Sequence, residues 1–192
     1  MQFYPIFLDL RGRPCLVVGG GAIGTRKTEG LLAAGAIVTI ISPQASDKVT
    51  RWATERKVRY LQRTYCEGDL KGYFIAFGAT GVSEIDVLMA CEASREGVLL
   101  NVVDRPILCN FISPAVLQRG DLAIAVSTGG KCPGFAKRLR QNLERTITPE
   151  YSPILEGIAA ARRDVLNDLS LSETDKRRRI EEILESGYGS LT

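Results

Sequence analysis

Short, almost unbroken apolar runs alternate with stretches of helical period through the first two-thirds of the chain. Cys15-Val18, Ile37-Ile41, Val58-Leu61, Tyr73-Phe77, Val98-Val103 and Leu122-Val126 read as strands. Their continuous apolar character predicts strands covered on both faces, as in a parallel sheet. Between them, Gly24-Ala34, Gln44-Glu55 and Ser83-Glu96 carry helical spacing, with Ser83 a candidate N-cap. Strand, helix and strand in succession predict right-handed crossovers and a doubly wound α/β fold. Six strands would then deliver their polar ends to one rim.

The pattern changes after Val126, and from Gly134 onward no strand is expected. Phe135, Leu139, Leu143 and Ile147 line one helical face. Ile154, Leu155, Ile158, Val165, Leu166 and Leu169 line a second helix, which Ser152-Pro153 would start well. Ser172-Glu173-Thr174-Asp175 is a capping-box signature for a third, ending near Gly187. The expected organisation is an α/β domain over residues 1–113, a bridging region over 114–147 and a helical domain over 148–192.

Composition narrows the chemistry. At 192 residues, 45% hydrophobic and 24% charged, the chain can bury one sizeable core. Its net charge of +3 is too mild to argue for nucleic acid. Beyond Phe135, 10 basic residues balance 10 acidic ones, so the run Lys176-Arg177-Arg178-Arg179 reads as a solvated helix face. Histidine is absent, which removes the commonest general base and every Ser-His or Cys-His nucleophile. The five cysteines include no C-x-x-C pair, arguing against a disulfide framework or a zinc cluster. No apolar run reaches the roughly 20 residues that span a bilayer, and Met1-Gln2-Phe3-Tyr4-Pro5 lacks the features of a signal peptide. A soluble cytoplasmic protein is expected.

Gly19-Gly20-Gly21-Ala22-Ile23-Gly24 fits G-x-G-x-x-G directly after a strand and at the opening of a helix, the context that gives this motif meaning. Gly19 would allow the tight turn, Gly21 the approach of a pyrophosphate, and Gly24 close helix–strand packing, with the N–H groups near Ala22 and Ile23 facing the phosphates. This makes the α/β fold Rossmann-like. The second strand ends Ser42-Pro43-Gln44, without the acid that often reads an NAD ribose; these three residues are the candidate ribose contacts. On that ground NAD and NADP both stay open.

Ligands of open α/β sheets bind outside the carboxyl ends of the strands. The small residues Gly78, Ala79 and Thr80 would let a nicotinamide lie close. Asp104 is the only acid between Glu96 and Asp121. It is either an ordinary turn residue or the proton acceptor of a cleft without histidine. Asn101 either closes a hydrogen bond near a strand end or meets substrate. Ser127-Thr128-Gly129-Gly130-Lys131-Cys132-Pro133-Gly134 is a second glycine-rich loop before a helix that carries Lys137, Arg138 and Arg140. It reads as an anion site or as a hinge.

Pro5-Ile6-Phe7-Leu8 with Cys15-Leu16-Val17-Val18-Gly19-Gly20-Gly21 resembles the opening of the siroheme synthase N-terminal family, the precorrin-2 dehydrogenases, some of which are also sirohydrochlorin ferrochelatases. Arg26-Lys27, Gly35-Ala36, Asn101-Val102-Val103-Asp104, Phe111-Ile112 with Pro114, and Ser127-Thr128-Gly129-Gly130 continue the resemblance over about residues 3–145. It implies NAD-dependent oxidation of precorrin-2 to sirohydrochlorin by a homodimer that dimerises through the segment after residue 113. The essential aspartate would be Asp104, a transient contact for the metal if iron is also inserted, with no stable metal site. NAD would lie on Ala22-Ile23 and on Pro43 and Gln44. Asn101, Arg105, Ser127, Thr128, Gly129, Lys131, Lys137 and Arg138 are the candidates for holding the carboxylate-rich substrate. Thr128 stands where some members have serine, and Gly81-Val82 replaces acids that many carry after Thr80. The methyltransferase domain fused to longer relatives is expected to be absent. Two rivals remain: a regulatory module that binds NAD(H) without turnover, and a reductase of a small acid, which would normally use a histidine or lysine acid.

Overall fold

In the computed structural model, which describes residues 3–189, five strands form a parallel sheet in the order β3-β2-β1-β4-β5. They are β1 (Pro14–Gly20), β2 (Ile37–Ala45), β3 (Val58–Leu61), β4 (Ile75–Gly78) and β5 (Leu99–Val102). Helices α1 (Ala22–Ala33), α2 (Asp47–Thr54) and α3 (Ser83–Glu96) make the crossovers. The continuous apolar runs have a direct cause, because neighbouring residues of one strand serve opposite layers. Cys15 and Val17 pack with Leu31, Val49 and Trp52 on the α1 and α2 side. Leu16 and Val18 pack with Met89 and Ala93 of α3 on the other side. Register pairs Val17 with Ile40 and with Phe77, and β4 continues it from Phe77 to Asn101. Strand order reverses between β1 and β4, so the crevice of the fold opens at their carboxyl ends.

Two local expectations need correcting. Helix α1 starts at Ala22, ahead of Gly24, with Gly21 as its extended N-cap. Ser83 is the first residue of α3 instead of its cap, which is Val82. By contrast, α2 is capped by Ser46, whose hydroxyl accepts from the Val49 N–H.

The chain divides into two compact units, Met1–Ser113 and Pro114–Thr192. The second overturns the sixth parallel strand. Leu122–Val126 (β7) pairs antiparallel with β6 (Ala115–Arg119) in a separate two-stranded sheet. The two-residue turn Gly120-Asp121, with Gly120 at φ +57°, joins them as a hairpin. Helices α4 (Pro133–Thr146), α5 (Tyr151–Asn167) and α6 (Glu173–Gly189) follow. Pro133 occupies the first position of α4, where its missing N–H is not needed. Ser172 caps α6 by accepting from the Asp175 N–H at 3.1 Å. Gly187 lets α6 pack closely on α5, since a Cβ there would lie 2.5 Å from Ile158 Cδ1. Among the described residues, no helix is long and apolar enough to cross a membrane.

Candidate functional site

The glycine turn after β1 is fixed by backbone crowding on one side and left open on the other. Gly19 has φ +116°, and a Cβ on it would meet the Ala79 carbonyl oxygen at 2.3 Å. A Cβ on Gly24 would lie 1.9 Å from the Gly19 carbonyl oxygen, so no side chain fits between helix and strand. Gly21, in contrast, has no atom of the described residues beyond its chain neighbours within 4 Å of where its Cβ would stand. Helix α1 carries no acid in its first turn and no side-chain cap. Its N–H groups at Ala22 and Ile23, both exposed, are therefore available to an anion. Thr25 locks this end by donating to the Gly21 carbonyl and meeting the Ser46 hydroxyl, each at 2.9 Å. A diphosphate fits this cradle, whose open edge lies at Gly21.

At the end of β2, the Ser42 hydroxyl is buried and donates to the Gln44 carbonyl at 2.5 Å. Tyr60 donates to the Ser42 carbonyl at 3.0 Å, holding the bend. Ser42 thus shapes the turn, while Pro43 and Gln44 are the exposed residues of that corner.

Because the sheet is parallel, the turns after β4 and β5 reach the rim that carries the glycine turn. The Ala79 N–H donates to the Val18 carbonyl at 2.7 Å, and the Val103 N–H to the Gly78 carbonyl at 2.9 Å. Asp104 follows with φ +59°, a left-handed conformation that costs strain in any residue but glycine. Its side chain is exposed. The loop behind it is closed by Cys109, whose sulfur accepts from the Val102 N–H at 3.1 Å and lies 3.3 Å from the Arg105 carbonyl. Burial pushes the Cys109 thiol above its usual range. Asn101 donates to the Phe111 carbonyl at 3.1 Å, a strand-end role. Asn110 extends the edge of β5, accepting from Leu100 N–H at 2.7 Å and donating to the Val98 carbonyl at 2.9 Å.

Two groups near this rim escaped the reading of strand ends. Asp86, on the inner face of α3 and 3% exposed, accepts from the Thr80 hydroxyl at 3.1 Å and faces Arg105 Nε at 3.7 Å. Arg105 also donates to the Ser83 hydroxyl at 2.5 Å, so its guanidinium is engaged within the fold. The signal was available, since Asp86 shares the period of the buried Met89 and Ala93. Lys27 lies over the Phe77 ring, 4.8 Å from its centroid. Burial and the adjacent Arg26 hold it below the usual lysine range.

In the second unit, the Ser127 hydroxyl accepts from the Gly129 N–H and the Thr128 hydroxyl from the Cys132 N–H, both at 3.1 Å. Both hydroxyls fold the loop, in which Gly129 and Gly130 take φ +63° and +83°. Lys131, Lys137 and Arg138 are exposed and form no salt bridge among the described residues. Lys137 and Arg138 line, with Cys132, Phe135 and Gln141, an open groove of about 530 Å³ at the start of α4. The described residues hold no cluster of three acidic or cysteine side chains able to bind a metal ion.

Comparison with known proteins follows this division. An NAD(P)-binding family model matches residues 6–115, more than half of the chain, and a sirohaem biosynthesis protein central model matches residues 119–146. Siroheme synthase of Methylobacillus flagellatus is 38% identical over 180 residues, covering 94% of this chain and 38% of that protein. Siroheme synthase of Pseudoalteromonas atlantica is 37% identical over 185 residues, covering 96% of this chain and 40% of that protein. The chain thus spans about two-fifths of the length of these curated relatives. The solved structure of SirC, precorrin-2 dehydrogenase, superimposes with a TM-score of 0.83 at 29% identity, over 97% of this chain and 92% of that one. A glycine cradle open at Gly21, a parallel sheet reversing between β1 and β4 and these matches agree: the chain belongs to the NAD(P)-binding family of siroheme-biosynthesis proteins.

Proposed function

We propose that the protein oxidises precorrin-2 to sirohydrochlorin with NAD. The observation that carries this reading is the likeness to a precorrin-2 dehydrogenase over 97% of the chain. NAD supplies a hydride acceptor when bound. The residues for holding it are Gly19, Gly21, Ala22, Ile23 and Gly24 at the diphosphate and Pro43 and Gln44 at the ribose, with Ala79 and Thr80 beside the nicotinamide. The first cation after β2, Lys48, is already paired with Glu29, which weakens the case for a 2′-phosphate there and favours NAD.

Loss of hydride from a saturated carbon must be accompanied by loss of a proton. Asp104 accepts that proton. Its carboxylate is exposed, stands at the rim that carries the glycine turn, and is held in a conformation that its own backbone disfavours. Lys131, Lys137 and Arg138 bind substrate carboxylates, because these cations lack acidic partners among the described residues and the last two line an open groove. Residues 114–147 form a dimerisation region and 148–192 a helical cap. The second unit supports this, since two unpaired hairpin edges and exposed Val116, Phe135 and Leu139 offer a second copy a surface to cover. Five free cysteines agree with a reducing cytoplasm.

The test is direct. Protein, NAD and precorrin-2 are mixed, and NADH is followed together with the tetrapyrrole absorption. Wild type is expected to produce both changes, and Asp104→Ala to lose about 10²- to 10⁴-fold in rate while still binding NAD. Wild-type-like turnover by Asp104→Ala removes the carboxylate from the chemistry. NAD binding without any turnover by wild type favours a regulatory module.

A further inference from the structure

We infer that Asp86 is a positioning residue that ties the two turns of the candidate site together and so fixes where the Asp104 carboxylate stands. This rests on the dehydrogenase reading above and adds to it a group buried in α3.

Asp86 is 3% exposed, and each of its carboxylate oxygens faces a different turn. Oδ1 accepts from the Thr80 hydroxyl at 3.1 Å, and that hydroxyl accepts in turn from the Val82 N–H at 3.0 Å. This arm holds the turn after β4. Oδ2 faces Arg105 Nε at 3.7 Å, and Arg105 donates onward to Ser83 at the start of α3. This arm holds the turn after β5. Thr80 and Arg105 are the residues through which those turns meet α3, and Arg105 is covalently next to Asp104.

A buried carboxylate without partners would be costly, so the carboxylate, the hydroxyl and the guanidinium hold one another in place. The need for such an anchor is visible in the backbone. Asp104 sits at φ +59° with its side chain exposed, so nothing in its own side-chain packing selects that conformation. What over-determines the turn comes from outside it: the Val103 N–H on Gly78, the Cys109 sulfur, and Arg105 on Asp86. The Val103 bond ties the Asp104 turn to β4 at Gly78, and the Asp86 link ties it further out, at Thr80.

Asp86→Asn keeps an acceptor for Thr80 and removes the charge that holds Arg105. Arg105→Gln, at a half-exposed position, removes the other partner without burying anything new. Turnover of precorrin-2 by wild type, both single variants and the double variant is measured first. Expected are a kcat about tenfold lower in each single variant, a double variant no worse than either alone, and a KM for NAD within about twofold of wild type. Amide exchange is then followed by mass spectrometry on the same proteins without substrate. Exchange is expected to rise about tenfold at 103–109 and to stay unchanged in β1 and β2. Unchanged exchange at 103–109 overturns the inference whether or not the wild type turns over. Additive losses in the double variant, or a rise in exchange throughout the sheet, overturn it as well. A wild type that makes no NADH from precorrin-2 refutes the dehydrogenase reading alone, and exchange then decides the role of Asp86.

Discussion

The two units of this chain stand in opposite relations to their own apolar side chains. In residues 3–113, Leu16, Val17 and Ile40 are completely buried, and both faces of the sheet are covered by helices. Among the described side chains of residues 114–187, only Leu117 and Ala136 are buried apolar ones, while Phe135 is 61% and Leu169 95% exposed. A unit that closes its own core can hold strained turns, and the crowded Gly19 and the left-handed Asp104 both lie there. A unit whose apolar groups stay open is suited to being covered by something else. A closed core and open apolar surface are thus divided along the chain.

The largest test of this contrast is truncation of equivalent leucines. Leu16→Ala leaves a hole between β1 and α3 and is expected to cost about 2–5 kcal/mol in chemical denaturation. Leu139→Ala, on a half-exposed position of α4, is expected to cost under about 1 kcal/mol in dilute protein, yet to weaken self-association in sedimentation. Equal costs at low concentration would erase the distinction between the units.

The parallel sheet was legible because each residue of β1 serves one layer or the other, leaving no polar position to break the run. The same feature misled at Leu122–Val126, an apolar run of the same look. Only the Gly120-Asp121 pair, two residues flanked by apolar runs, marks it as half of a hairpin. The glycine turn could be read since each glycine answers to a steric demand. The longer-range bonds could not: that Asn101 turns to Phe111 and Arg105 to Asp86 depends on groups brought close by folding. Asp86 lay on the inner face of α3 by period, and a buried acid there was the sign that a partner must exist.

A second test addresses crowding in the first unit. Gly24→Ala pushes a methyl into the Gly19 carbonyl, 1.9 Å away, and something must shift. Overpacking of about 1–3 kcal/mol is expected in thermal melts, with a loss of NAD affinity in calorimetry, because the displaced backbone is the cradle itself. Intact NAD affinity in this variant would separate the turn from the cofactor.

The third is a titration. Burial raises the Cys15 thiol from 9.0 to about 11. The folded state favours the neutral thiol, so its contribution is whole below pH 9 and is lost as pH rises from about 9 toward 11. The stability difference between wild type and Cys15→Ala, measured by urea unfolding, is expected to shrink by on the order of 1–2 kcal/mol across that window. A constant difference would mean that the thiol ionises equally well in both states.

The smallest effect has the opposite sign and lies in the second unit. Gly157 is inside α5, and outside its own helical turns a Cβ there meets no atom of the described residues within 4 Å. Glycine in a helix interior costs roughly 0.5–1 kcal/mol relative to alanine, mostly through backbone entropy. Gly157→Ala is therefore expected to stabilise dilute protein by about that amount, where Gly24→Ala destabilises it. Repeating the melt at rising protein concentration turns the substitution into a probe of the proposed dimer. A gain that persists puts Gly157 outside the covered face, while a gain that reverses means a second copy packs its backbone against α5 at this residue. The same methyl group is thus a steric fault in a unit that is already closed and a test of whether a second copy covers the open one.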